Sequence, residues 1–132
     1  MKPVAIGQNH TYHVETTHAH TADAYGNKGV AVIATPVLIG FLETAAHGCL
    51  KPAYEAGEGS VGTVVNVRHL AAALAGAVVE ASATVTAVKG KQIEFAVEAK
   101  AGDVVLMAGS HGRAVVNLAK FFERLGMKAP SA

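Results

Sequence analysis

Ala34-Thr35-Pro36-Val37-Leu38-Ile39-Gly40-Phe41-Leu42-Glu43-Thr44-Ala45-Ala46-His47-Gly48-Cys49-Leu50 is the stretch on which the fold turns. Thr35 before Pro36 reads as an N-cap followed by proline in the first helical position, where a missing N–H is harmless. Leu38, Phe41, Leu42, Ala45 and Cys49 recur at helical spacing to about Leu50, and Pro52 with the Glu55 to Ser60 loop stops the run. Leu and Ala dominate it and little polar surface is left. The predicted helix is therefore expected to be buried on most sides, as the filling of a wrapped sheet. Glu43 is the one charge in this run. A carboxylate so placed either finds a partner or protonates, so it is a candidate for chemistry or for pairing with an arginine or with His69.

Outward from the helix the chain reads as strands. Residues His10 to Thr17 alternate weakly, and a polar loop runs on through Gly29. From Gly57 to Ala72, His69 ends a strand-like alternation in phase with Val61, Val65 and Val67, which predicts a ring pointing inward beside the acid-bearing helix. That placement favours a Glu43–His69 pair. Val79, Ala81, Ala83, Val85 and Ala87 alternate with polar residues, Lys89-Gly90-Lys91 turns the chain, and Ile93, Phe95, Val97 and Ala99 alternate again. This is a half-solvated antiparallel hairpin. Gly102-Asp103 makes the next turn, a longer strand broken at Gly109 and Gly112 spans Val104 to Asn117, and a short amphipathic helix from Leu118 to Leu125 ends at Gly126. Strand, long helix and four strands make an α+β fold. One helix cannot cover five strands, so such a fold is expected to hide more surface by dimerising.

Composition narrows the function classes. With 132 residues the chain is one domain's worth, 1–132, and only 5% aromatic content without Trp leaves the core to Ala, Val, Leu and Ile. A net charge of +1 with both signs scattered offers no basic stripe, so nucleic acid is an unexpected partner. The single cysteine, Cys49, excludes an intrachain disulfide and sits among apolar neighbours as a buried thiol. No apolar run reaches the length of a membrane span, and the first twenty residues lack the apolar segment of a signal peptide. The expectation is a soluble cytoplasmic protein without a membrane partner. His10, His13, His18 and His20 cluster near the N-terminus, but no cysteine joins them, and a solvated His-rich edge outweighs a metal site. Gly57-Glu58-Gly59-Ser60-Val61-Gly62 lacks the lysine of a phosphate loop and precedes a strand.

Four motifs in order, from about Val32 to Phe121, carry a resemblance: Ala34-Thr35-Pro36 with Glu43 eight residues after Thr35, Gly57-Glu58-Gly59-Ser60-Val61-Gly62-Thr63, Val67-Arg68-His69-Leu70-Ala71-Ala72, and His111-Gly112-Arg113-Ala114-Val115. The chain resembles the fluoroacetyl-CoA thioesterase group of hotdog-fold proteins. The resemblance implies a five-stranded antiparallel sheet wrapped around one long central helix, and a homodimer with sheet edges joined. It implies an acyl-CoA thioesterase whose catalytic residues are Thr35, Glu43 and His69, with Gly62 and Arg113 as further motif positions near the substrate. No metal or prosthetic group is implied, CoA being part of the substrate. Thr44 stands where the fluoroacetyl-specific member carries Trp, and Asn27-Lys28-Gly29-Val30-Ala31-Val32-Ile33 has no aromatic residue, which points to another small or medium acyl group. A hotdog protein that binds acyl-CoA without turnover, as a sensor or carrier, is the alternative.

Each residue also has a plainer role. Thr35 is a routine cap, His69 a satisfied core histidine, Gly62 relief of crowding, and Arg113 a salt partner. On one helix Thr35 and Glu43 stand about 12 Å apart along the axis and about 80° apart around it. They are not expected to meet within a chain; two antiparallel central helices would bring them together at a shared site.

Overall fold

A computed structural model describes residues 1–127. The sheet contains β1 (Asn9–Glu15), β2 (Glu58–His69), β3 (Val78–Lys89), β4 (Gln92–Ala101) and β5 (Val104–Asn117), ordered β1-β3-β4-β5-β2 with every pairing antiparallel. Helix α1 spans Thr35–Leu50 and lies across the concave face; α2 is Leu118–Arg124. Short 3-10 turns at His18–His20, Asp23–Tyr25 and Lys51–Ala53 fill the connections.

The alternation read from β3 and β4 becomes the floor under the helix. Val79, Ala81, Ala83, Val85, Ile93, Phe95, Val97 and Ala99 are all 3% exposed or less, facing Leu38, Leu42, Ala45, Ala46 and Leu50 of α1. At roughly 25 cal/mol per Å² of apolar surface removed from water, this interface is the main stabilising contribution. Gly109 and Gly112 do not break β5. A Cβ at Gly109 would fall 2.1 Å from the Asn66 carbonyl oxygen, so glycine there lets the β2 and β5 backbones close up and pairing continues.

Three expectations need correction. The N-cap of α1 is Ala34, in extended conformation; Thr35 is the first helical residue, Pro36 the second, and no side chain caps the end. The helix is not buried on most sides, because five strands cover only part of its circumference: Pro36, Gly40 and Thr44 are exposed and Glu43 and His47 half-buried, forming an open stripe. Val61 is out of phase with Val65 and His69. A bulge between Gly62 and Val64 shifts the register by one residue, leaving Gly62, Val65, Val67 and His69 on the helix side and Val61, opposite Ala114, on the other.

The edge strand β2 keeps Val64 and Val65 56% and 46% exposed. Among the described residues no helix is long and apolar enough to cross a membrane. Cys49 is a buried free thiol whose pKa burial pushes up.

Candidate active site

The five residues singled out in the sequence gather into two groups. At the N-terminal end of α1, Thr35 Oγ1 and His69 Nδ1 lie 2.7 Å apart. Both residues are exposed, and the bond joins the first turn of the helix to the last residue of β2. With Nδ1 as the acceptor, the Thr35 hydroxyl donates to the ring, and Nε2–H is left for a substrate or water. The hydroxyl that would have capped the helix is spent on the imidazole. The pair expected between Glu43 and His69 does not form, because His69 reaches α1 at its first turn while Glu43 lies two turns further along the helix.

Two turns along the helix, Glu43 meets Arg113 instead. Arg113 Nη1 donates to Glu43 Oε2 at 3.2 Å, Nε donates to Ser60 Oγ at 2.8 Å, and Nη2 donates to the Ser60 carbonyl at 3.0 Å. The guanidinium is 8% exposed and the Glu43 side chain 41%, so the acid is not the buried carboxylate its apolar neighbours suggest. Only Oε2 is engaged; Oε1 accepts no hydrogen bond among the described residues. An arginine held on three sides by protein is a fixed positive charge that orients one carboxylate oxygen and leaves the other for chemistry.

Gly62 is what lets the acid sit there. A Cβ at this position would fall 2.5 Å from Glu43 Oε2 and 3.2 Å from His111 Cε1. The β2 bulge brings Gly62 round to the helix side, opposite Arg113 in register.

His111 was not among the candidates, although its spacing of two from Arg113 put both on one strand face. It is 3% exposed and stacks on Phe95 with centroids 6.3 Å apart. Nδ1–H donates to the Val64 carbonyl at 2.8 Å, which leaves Nε2 as acceptor toward Arg113 Nη1 at 3.3 Å. Burial holds its pKa down, the Val64 bond opposes that, and the neighbouring guanidinium lowers it further. His111 is thus a neutral wall behind the Glu43–Arg113 pair. Ser60 was visible as a motif position without a role. Tyr54 and His47, which continue the network from Ser60, carried no signal in the linear pattern.

Glu43, Gly40, Thr44, His47 and Arg113 line an open groove of about 370 Å³ along the uncovered stripe of α1. Three of the four N-terminal histidines have polar contacts of their own, His13 near Glu80 at 3.5 Å, His18 on Asp23 at 2.8 Å, and His20 Nδ1 accepting from the Thr17 N–H at 2.9 Å, and the His10 ring lies against Gly48. Among the described residues, no three metal-ligating side chains converge.

Comparison with known proteins bears on the family and the fold. Residues 16–119 match the family model described as fluoroacetyl-CoA-specific thioesterase. The fluoroacetyl-CoA thioesterase of Streptantibioticus cattleyicolor is 36% identical over 100 residues, covering 76% of this chain and 72% of that protein. A solved structure of the fluoroacetyl-CoA thioesterase FlK superposes with a TM-score of 0.88 at 29% identity, covering 98% of this chain and all of that one. A thioesterase superfamily member from Thermus thermophilus gives 0.87 at 27% identity, with 96% of each chain covered. Sharing fold, sequence and motif order with these proteins over most of its length, the chain belongs to the fluoroacetyl-CoA-specific thioesterase family and has the hotdog fold.

Proposed function

We propose that this protein, a thioester hydrolase by family, cleaves a small or medium acyl-CoA at a site shared between two copies of the chain. The observation that carries this reading is the division of the site. Thr35 and His69 sit together at one end of α1, while Glu43 and Arg113 stand two turns away. A solved variant of the fluoroacetyl-CoA thioesterase FlK holds acetyl-CoA, which makes acyl-CoA the natural substrate class here.

The edge strand supplies the means of joining the halves. An unpaired edge with exposed valines invites antiparallel pairing with a second copy. Antiparallel pairing of the two β2 edges about a two-fold axis would turn Glu43 of one chain toward the Thr35–His69 couple of the other. The thioester carbonyl then lies between Glu43 and the helix N-terminus, whose free N–H groups accommodate the developing oxyanion while the Thr35 hydroxyl holds the His69 ring. Oε1 of Glu43 either attacks the carbonyl, giving a mixed anhydride that water opens, or takes a proton from the attacking water. His69 hands a proton to the departing CoA thiolate. The proposed route uses no metal or prosthetic group, and the proposed setting is the cytoplasm.

Hydrolysis assays over a panel of acyl-CoAs test the activity; binding without turnover would leave a sensor or carrier. The shared site is tested by refolding Thr35→Ala and Glu43→Gln chains together. In mixed dimers one site carries both lesions and the other neither, so about a quarter of wild-type activity returns at equal mixing. Confirmed heterodimers without activity would mean that each chain builds its own site.

A further inference from the structure

The contacts of Arg113 continue beyond Ser60. Ser60 Oγ is hydrogen bonded to Tyr54 Oη, and Tyr54 Oη lies 2.9 Å from His47 Nδ1. The His47 and Tyr54 rings also pack face to face at a tilt, with centroids 5.5 Å apart. His47 is one helical turn beyond Glu43 and lines the same groove. The chain of groups runs from Glu43 through Arg113, Ser60 and Tyr54 and returns to the groove at His47.

Donor counting gives this chain a direction. A guanidinium only donates, so Ser60 Oγ accepts from Arg113 Nε. The Ser60 hydroxyl proton then goes to Tyr54 Oη, the Tyr54 proton goes to His47 Nδ1, and each of the two hydroxyls donates once and accepts once. That arrangement requires His47 to be neutral with its proton on Nε2. A protonated His47 donates from Nδ1, turns the Tyr54 proton back onto Ser60 Oγ, and leaves that oxygen with two donors while its own proton has no acceptor in the chain. Such a mispaired, half-buried network loosens its longest link, the 3.2 Å bond from Arg113 to Glu43.

We propose that His47, acting through Tyr54 and Ser60, is a positioning residue that fixes Arg113 and the Glu43 carboxylate in one geometry and releases them when its imidazole takes up a proton. This rests on Glu43 being the reacting carboxylate. The surroundings favour the neutral ring: burial lowers its pKa first, then the positive charges of Arg113 from β5 and Lys51 from the end of its own helix. Glu43 faces it from the preceding turn of α1, Tyr54 from the connection to β2, and Glu58 on β2 acts on Tyr54.

The first test needs no variant. In the wild-type protein, the Arg113 Nε–H resonance and the His47 ring resonances are followed by NMR across the pH range. The Arg113 signal is expected to shift or exchange-broaden with the midpoint of the His47 titration. In Tyr54→Phe the two become independent, whereas His47→Asn, an acceptor that does not titrate, keeps the neutral-pH Arg113 signal and loses its dependence on pH. In turnover, Tyr54→Phe lowers kcat by up to about tenfold with little change in KM, the loss of one neutral hydrogen bond. Ser60→Thr, which retains the hydroxyl, is expected to lose less than Ser60→Ala. A wild-type Arg113 signal that stays fixed while His47 titrates overturns the proposal, as does coupling that survives in Tyr54→Phe. Because the NMR experiment uses no substrate, it decides the relay even if no acyl-CoA is hydrolysed, an outcome that would instead remove the hydrolase reading.

Discussion

Gly62→Ala is the sharpest single-atom test of the site. The added Cβ falls 2.5 Å from Glu43 Oε2 and 3.5 Å from Glu43 Cδ, with His111 Cε1 at 3.2 Å behind it. His111 is buried against Phe95 and tied to Val64, so it gives little; Glu43, 41% exposed, is the side that moves. Restoring ordinary van der Waals contact requires Oε2 to retreat by about 1 Å. Its bond to Arg113 is already 3.2 Å long and does not survive that displacement. A charge-assisted bond is worth about 1.5–3 kcal/mol when buried, but Glu43 is partly solvated, so the stability loss is expected to be nearer 1 kcal/mol. The loss in turnover is larger, on the order of 10²-fold, because a reacting group displaced by 1 Å loses its near-attack geometry. Urea unfolding measures the first effect and release of CoA thiol from an acyl-CoA measures the second. Gly59→Ala serves as a control on the same strand, since its Cβ meets only the Leu118 side chain, at 3.1 Å. Wild-type turnover in folded Gly62→Ala would refute the reasoning, because the acid would then not depend on the position the glycine permits.

Glu43→Gln is expected to abolish hydrolysis while acyl-CoA binding stays measurable by calorimetry, since an amide neither attacks a thioester nor takes a proton; near wild-type turnover would remove Glu43 from the mechanism. Stability should fall at acid pH through His111, whose folded pKa is lowered from 6.5 by burial and by Arg113. The unfolded chain binds the proton more readily, so stability is level above about pH 6.5 and declines below it, by up to about 1.4 kcal/mol per pH unit for each proton excluded. Urea midpoints in wild type and His111→Gln should diverge at neutral pH and converge on acidification; parallel curves would assign the acid loss to other groups.

Much of this protein is legible in its linear sequence, because local rules dominate where one element packs on one face. Pro36 and Pro52 bracket a helix whose apolar spacing set its limits at Thr35 and Leu50, and the strict alternation of β3 and β4 could only be satisfied by a sheet with one face on that helix. The candidates Thr35, Glu43, His69, Gly62 and Arg113 were legible as polar or glycine positions in apolar or motif surroundings. Their partners were not. Gly62 and His69 are an odd number of positions apart, and a regular strand would send them to opposite faces; the bulge after Gly62, where two residues of β2 oppose one step of β5, returns both to the helix side. No periodicity announces a bulge, since it arises from the match between two strands. The choice of Arg113 over His69 as the partner of Glu43 is likewise tertiary. It depends on how far along α1 each strand residue falls, and His69 reaches the first turn while Arg113 reaches the third. Sequence by itself fixed the elements and nominated the reactive groups, through spacing that each segment carries alone. Only the folded chain, by its register across β2 and β5 and by the side of α1 that five strands leave uncovered, decided which of those groups touch.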